Sequence, residues 1–208
     1  MTTVRLSLLA REGQLPVLLL VVALAVSGWL GLWWPFALLA LLLLAALWIY
    51  RQPHRQIPAA PLGLLAPVDG RVVRIERARD PYLQRDAWQV SISMSLRDTG
   101  VVRSPTEGKV MHQWLDRNAG PCGAGCLAHH VQTDEGDDVV VRLHRGRLLG
   151  RLHASLVNGE RVGQGERYGF VPLGREVSLW LPTGVRLLVR EGQRVTGGVD
   201  VLAELVRG

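Results

Sequence analysis

Two cysteines, two adjacent histidines and one turn aspartate are the side chains whose spacing first suggests chemistry. Cys122-Gly-Ala-Gly-Cys126 is followed at once by His129 and His130, and zinc is held by Cys and His groups at short separations. The three residues between the cysteines form a glycine-rich loop, and neighbouring histidines diverge on a strand. That is poor tetrahedral geometry, so the expectation is a mobile loop with reduced thiols and no metal. Cys122 and Cys126 are the only cysteines, too few for a disulfide framework. Asp69 lies in Pro-Val-Asp-Gly, where an aspartate ordinarily caps its own loop. His112, His144 and His153 are scattered and read as structural or surface residues.

Two kinds of element must position these groups, one apolar and one β-rich. From Leu15 to Tyr50 no residue carries a charge, and Leu, Ala, Val and Trp dominate. A bilayer core needs roughly 20 apolar residues as helix, whereas this run as one straight helix would reach about 54 Å. Ser27, Gly28, Gly31 and Pro35 interrupt it midway, which favours two short helices folded as a hairpin. Trp29, Trp33 and Trp34 beside the break, with Trp48 and Tyr50 at the end, suit interfacial aromatic belts. Arg5 and Arg11 precede the run, and Arg51, His54 and Arg55 follow it. A hairpin puts both basic flanks on one side, which the positive-inside rule makes cytoplasmic. One long tilted helix, or an uncleaved signal peptide, are the competing readings.

Past a proline-rich stretch from Gln52 to Leu65, long helical patterns disappear. Arg71–Ile75, Trp88–Met94, Val139–Leu143, Val177–Leu181 and Val185–Val189 are rich in β-branched and aromatic residues bounded by Gly or Pro. Two motif pairs echo one another. Ala66-Pro-Val-Asp-Gly-Arg-Val72 matches Ser104-Pro-Thr-Glu-Gly-Lys-Val110, and Gly159-Glu-Arg-Val-Gly-Gln-Gly165 matches Gly192-Gln-Arg-Val-Thr-Gly-Gly198. A strand that begins after a Pro- or Gly-made corner explains each, as in the interlocking halves of hammerhead domains. The expected organisation is a cytoplasmic N-terminus over 1–14, a transmembrane helical hairpin over 15–50 and a linker over 51–65. A mainly β, internally repeated hammerhead or barrel-sandwich domain then occupies 66–208.

The formal charge of +6 comes almost wholly from arginine, Lys109 being the one lysine. A basic balance on a membrane-anchored domain suits an anionic lipid surface. No clustered basic helix or aromatic-spaced patch points to nucleic acid. Lys109 sits in a motif that starts a strand and not at a hairpin tip, which counts against a lipoyl or biotinyl carrier.

Taken in order, the motifs become specific. Tyr50-Arg-Gln-Pro-His-Arg-Gln-Ile-Pro58 follows the apolar run, and Ala66-Pro-Val-Asp-Gly-Arg-Val72 comes next. Val90-Ser-Ile-Ser-Met-Ser-Leu-Arg-Asp98 then leads to Arg103-Ser-Pro105, and Gly165-Glu-Arg-Tyr-Gly-Phe-Val-Pro-Leu-Gly174 runs on to Leu181-Pro182. This order resembles the short, membrane-bound bacterial and archaeal phosphatidylserine decarboxylases, least so between Asn118 and His153. In that family a serine after a glycine attacks the glycine's carbonyl. The ester then eliminates, cutting the chain and leaving a pyruvoyl group as the electron sink for loss of CO₂.

Here the Gly-Ser pair reads Gly174-Arg175. Arginine has neither the nucleophile nor the Cβ leaving group that the elimination needs. A family segment written Asp-Val-His-Val-Asn-Arg reads Asp98-Thr-Gly-Val-Val-Arg103, so Gly100 replaces the histidine and Val102 the asparagine. Asp69 retains the family's acidic position. Ser104, Ser155 and Ser178 lack a preceding glycine. The resemblance thus implies a phospholipid-binding protein of phosphatidylethanolamine metabolism in the bacterial inner membrane, without a pyruvoyl cofactor or decarboxylase activity. Its partners would be membrane phospholipid and an active relative or second copy. Arg175→Ser with Gly100→His is the change expected to come closest to restoring cleavage. The alternatives are a decarboxylase using an unrecognised route, or a membrane-fusion adaptor, although adaptors carry a long helical hairpin between their halves.

The basic flanks generate a test of topology. Reporters fused at the N-terminus and after residue 60 should both give cytoplasmic signals, and a periplasmic signal from either would rule out the hairpin.

Overall fold

The computed structural model describes residues 10–116, 125–144, 153–171 and 176–206. The chain divides into two compact units, Met1–His54 and Arg55–Gly208. In the first unit α1 (Arg11–Trp29) and α2 (Trp33–Ile49) pack on one another. Gly31 makes the turn at φ +69°, a left-handed conformation that favours glycine. Ser27 seals the turn by donating its hydroxyl to the Leu32 carbonyl at 3.0 Å. At the open end the Ala10 amide donates to the Tyr50 carbonyl at 2.9 Å. Leu15, Leu18, Trp33 and Leu41 are exposed, an apolar surface of the kind that marks a lipid or protein contact. Glu12–Trp29 is long and apolar enough to cross a membrane, while α2 is apolar and shorter.

The second unit is mainly β. Its chain order opens with β1 (Gly63–Leu65), β2 (Gly70–Arg79), β3 (Asp86–Ser93), β4 (Val101–Arg103) and β5 (Gly108–Asp116). β6 (Cys126–Gln132), β7 (Asp138–His144), β8 (His153–Ala154), β9 (Arg161–Val162) and β10 (Arg167–Phe170) follow. β11 (Glu176–Leu181), β12 (Val185–Leu187), β13 (Arg194–Val195) and β14 (Val201–Leu205) complete it. An eight-stranded half-barrel runs β13-β2-β3-β11-β7-β6-β5-β9, and two three-stranded sheets run β1-β14-β12 and β4-β10-β8. β1 falls inside the stretch read above as linker.

Period-two alternation assigns the two faces of the large sheet. Val90 and Ile92, Val177 and Leu179, Val139 and Val141, and Leu127 and Val131 point into the main core. The intervening residues Ala87, Trp180, Val140 and Ala128 build a smaller cluster on the other face, where Tyr82 and Trp114 join them. Ser91 and Ser178, also buried, meet at 3.2 Å between their hydroxyls.

The echoed motifs occupy matching registers. Gly70 and Arg71 pair with Val195 and Arg194, and Gly108 and Lys109 pair with Val162 and Arg161. The Gly192 amide donates to Val72 and the Gly159 amide to Val110, each at 2.7 Å. Both strands shift register just afterwards, between Val72 and Arg74 and between Val110 and His112, and such bulges bend a sheet. The segments also clasp each other: the Leu65 amide donates to the Pro105 carbonyl at 2.8 Å, and the Arg103 amide to Pro67 at 2.9 Å.

Two expectations about Cys126 require correction. His129 and His130 lie on a strand as expected, but that strand, β6, already begins at Cys126, which is not loop but buried and held on both sides by β5 and β7. A glycine-rich approach hid an apolar strand, Cys-Leu-Ala-His-His-Val, whose backbone donors pair in the sheet. Nor is Cys126 a reduced thiol, since it is disulfide-bonded; the chain's other cysteine, Cys122, lies outside the described residues.

His129 is fully buried on the core face of β6, neither ring nitrogen has a hydrogen-bond partner among the described residues, and Tyr168 packs edge-on at 5.2 Å. Burial pushes its pKa down from 6.5 to about 4. Between those values the unfolded chain binds a proton that the folded chain refuses, so stability falls as pH drops from 6.5 and levels off near 4. Between about pH 7.5 and 4.5 the wild type should lose about 2–3 kcal/mol more unfolding free energy than His129→Leu. Denaturant unfolding of both proteins at the two pH values measures it, and equal losses would assign His129 no part.

Candidate functional site

Asp69 ends the corner that leads into β2, and its carboxylate is the most heavily engaged acidic group near the motifs. Instead of capping its own loop, it is gripped from three distant segments. Arg55 donates both guanidinium arms, to Oδ1 at 2.5 Å and to Oδ2 at 2.6 Å. Thr99 donates its hydroxyl at 2.7 Å and its amide at 3.3 Å. The Gly197 amide donates at 2.8 Å, and Arg55 also donates to the Gly197 carbonyl at 2.7 Å. Desolvation raises the Asp69 pKa, but the hydrogen bonds from Arg55, Thr99 and Gly197 outweigh it and leave the value below 3.8. The carboxylate is therefore ionised and its lone pairs are occupied, which suits a structural anchor better than a base.

Arg103, at the end of β4, supports the same corner from behind. Its guanidinium donates to the Gly165 carbonyl at 2.9 Å. Burial first, then the charges of Arg55 and Arg167, lowers its pKa, with Asp69 opposing.

Gly100 stands at the position where the resemblance expects histidine, and the space for a side chain is closed. A Cβ there would lie 2.5 Å from the Val171 carbonyl oxygen and 3.1 Å from the Phe170 ring. The Val171 amide donates to the Gly100 carbonyl at 2.7 Å, fixing that approach. Gly100→His therefore requires the backbone to move, so the double change with Arg175→Ser loses the favourable outlook it had from sequence. Gly174 and Arg175 lie outside the described residues.

The remaining sequence candidates are dispersed. His129 and His130 point to opposite faces of β6, and His130 Nε2 meets Asp138 Oδ1 at 2.8 Å. Among the described residues no three His, Cys, Asp or Glu side chains are gathered to hold a metal. Ser104 donates to the Thr106 carbonyl at 2.7 Å and Ser155 to the Tyr168 carbonyl at 3.0 Å, so each hydroxyl serves a local turn or strand end. Sequence reasoning missed Arg55, Thr99 and Gly197 as partners of Asp69. Arg55 lay in the motif after the apolar run but was read as a membrane flank, and Gly197 closes one of the echoed motifs.

A phosphatidylserine decarboxylase family model matches residues 42–118. The phosphatidylserine decarboxylase proenzyme of Aromatoleum aromaticum is 36% identical over 95% of this chain and 96% of the relative. Its namesake from Nitrosomonas eutropha is 35% identical over 95% of each chain, and that from Burkholderia cenocepacia 33% over 95% and 96%.

Removing one partner of a buried ion pair strands the other, at a cost of about 3 kcal/mol. Arg55→Ala and Asp69→Asn should each lower unfolding free energy by about that amount. The double variant should lose markedly less than their sum, and additive losses in the denaturation cycle would show that the pair is not coupled.

Proposed function

This chain belongs to the phosphatidylserine decarboxylase family, and we propose that it is an unprocessed member that binds phospholipid without decarboxylating it. Arg175 is the observation that carries this reading. In the family's maturation a hydroxyl or thiol attacks the preceding glycine carbonyl. Elimination then breaks the Cβ–O or Cβ–S bond, expels the N-terminal fragment as its carboxylate or thiocarboxylate, and leaves a dehydroalanine that hydrolyses to pyruvoyl and ammonia. The Arg175 Cβ carries only carbon and hydrogen, so there is no bond to break in that sense. The closed space at Gly100 and the occupied carboxylate of Asp69 support the same conclusion.

The apolar hairpin is the proposed anchor. At about 1.5 Å per residue its helices reach about 28 Å and 26 Å, close to a bilayer's hydrocarbon thickness of about 30 Å. The arginine-flanked termini favour a cytoplasmic β unit at a bacterial inner membrane. Matching registers at Gly70–Arg71 and Gly108–Lys109, with their matching bulges, favour a hammerhead built from two related halves. Phospholipid is the proposed partner, together with an active relative or a second copy. The related halves are also what a membrane-fusion adaptor would have, but no helical hairpin joins them among the described residues.

Intact mass decides the main point. The purified protein should be one chain near 22.9 kDa, release no CO₂ from phosphatidylserine, and remain whole as Arg175→Ser. A break between Gly174 and Arg175, or a fragment with a pyruvoyl terminus, would falsify the proposal.

A further inference from the structure

We propose that the surface cavity between Arg71 and Arg194 binds a phosphate ester, the headgroup phosphate of a phospholipid. The cavity measures about 260 Å³, and its lining includes Arg71, Val73, Ser95, Asp98 and Arg194. Arg71 on β2 and Arg194 on β13 are direct cross-strand partners, a placement in which like charges repel. Arg194 is relieved by Asp98, to which it donates at 2.6 Å. Arg71 is exposed, and its guanidinium has no hydrogen-bond or ion-pair partner among the described residues. Asp98 thus answers the Arg194 guanidinium, and the Arg71 guanidinium stands beside it at the wall of an open space.

The fold contains its own comparison. At the echoed position Lys109 faces Arg161 in the same register. There Arg161 reaches Asp134 at 2.5 Å and Glu107 at 3.9 Å. Both carboxylates there stand on the arginine of the pair, whereas at Arg71 and Arg194 one carboxylate stands on Arg194 and an open cavity adjoins the two guanidinium groups. Guanidinium forks match the oxygens of a phosphate in pairs.

The walls are preorganised. Gly70 lies so close to the Ser93 carbonyl that a Cβ there would collide with it. The Ser95–Asp98 turn is tied by the Ser95 amide on Asp98 Oδ2 at 2.7 Å and the Asp98 amide on the Ser95 carbonyl at 3.0 Å. Thr99, the next residue, is held by Asp69. The rim is apolar as well as basic: Leu96 at the tip of the turn is 70% exposed and Val73 is 48% exposed. Such a rim fits the glycerol and acyl start of a lipid better than a free ion.

This inference rests on the reading of the chain as phospholipid-binding, but its test reads neither cleavage nor decarboxylation. The full chain in non-ionic detergent is titrated calorimetrically with dihexanoylphosphatidylserine, and separately with inorganic phosphate. Wild type should bind the lipid saturably, and Arg71→Gln and Arg194→Gln should each weaken binding by about tenfold. Arg71→Lys, which keeps the charge without the fork, should fall between, and Lys109→Gln should match wild type. Weak competition by inorganic phosphate supports a lipid headgroup, and equally tight phosphate binding supports the anion site with free phosphate as its ligand. No saturable binding of either probe, wild-type affinity in Arg71→Gln, or an equal loss in Lys109→Gln would overturn it. A chain that fails here yet stays uncut still meets the expectation of an unprocessed protein, while one that binds here but cuts itself does not.

Discussion

A carboxylate that leaves water must be met by donors, and Asp69 is met by Arg55, Thr99 and Gly197 at once. These residues come from the start of the β unit, the turn before β4 and the corner after β13. One ionised side chain thus ties three segments that are far apart in sequence. It also sets their spacing, because a bidentate guanidinium tolerates little change in distance or angle. The Gly197 peptide is held from both ends, its amide by Asp69 and its carbonyl by Arg55. Moving any of the three segments would expose a buried charge.

The sheets around this pair owe their curvature to bulges in equivalent places. Extra residues beside Val72 and Val110 bend β2 and β5 where short strands β13 and β9 cover their edges. Crossed hydrogen bonds between Leu65 and Pro105 and between Arg103 and Pro67 lock together the corners that precede β2 and β5. Asp69 occupies the first of these corners, and the corresponding residue of the second is Glu107, which is exposed at the surface. Similar backbone corners therefore carry different chemistry: one holds a buried charge network, the other an open surface ion pair.

Closure at Gly100 and occupancy at Asp69 support the proposal of an unprocessed chain in the same way. A reactive site keeps room for a substrate atom and a group with a free lone pair. Here the Val171 carbonyl fills the room and Arg55 takes the lone pairs. Open space with unmatched positive charge lies instead a short step along the chain from each, where Arg71, Asp98 and Arg194 meet.

Sequence alone determined what depends on local composition and on single atoms. The uncharged run from Leu15 to Tyr50 and its Gly-Pro break made two apolar helices legible, because helix length and breakers are local properties. Alternating β-branched residues marked β3, β7 and β11, and Arg175 excluded a Cβ leaving group without any coordinates. Only the tertiary structure decided which distant residues meet. Arg55 looked like a membrane flank and proved to be the partner of Asp69, because a salt bridge across 14 residues leaves no periodic trace. Cys126 looked like the end of a loop because the glycines before it outweighed the strand signal, and burial between β5 and β7 overrode that local preference. The cavity at Arg71 was invisible for the same reason: it exists only where β13 returns to lie beside β2.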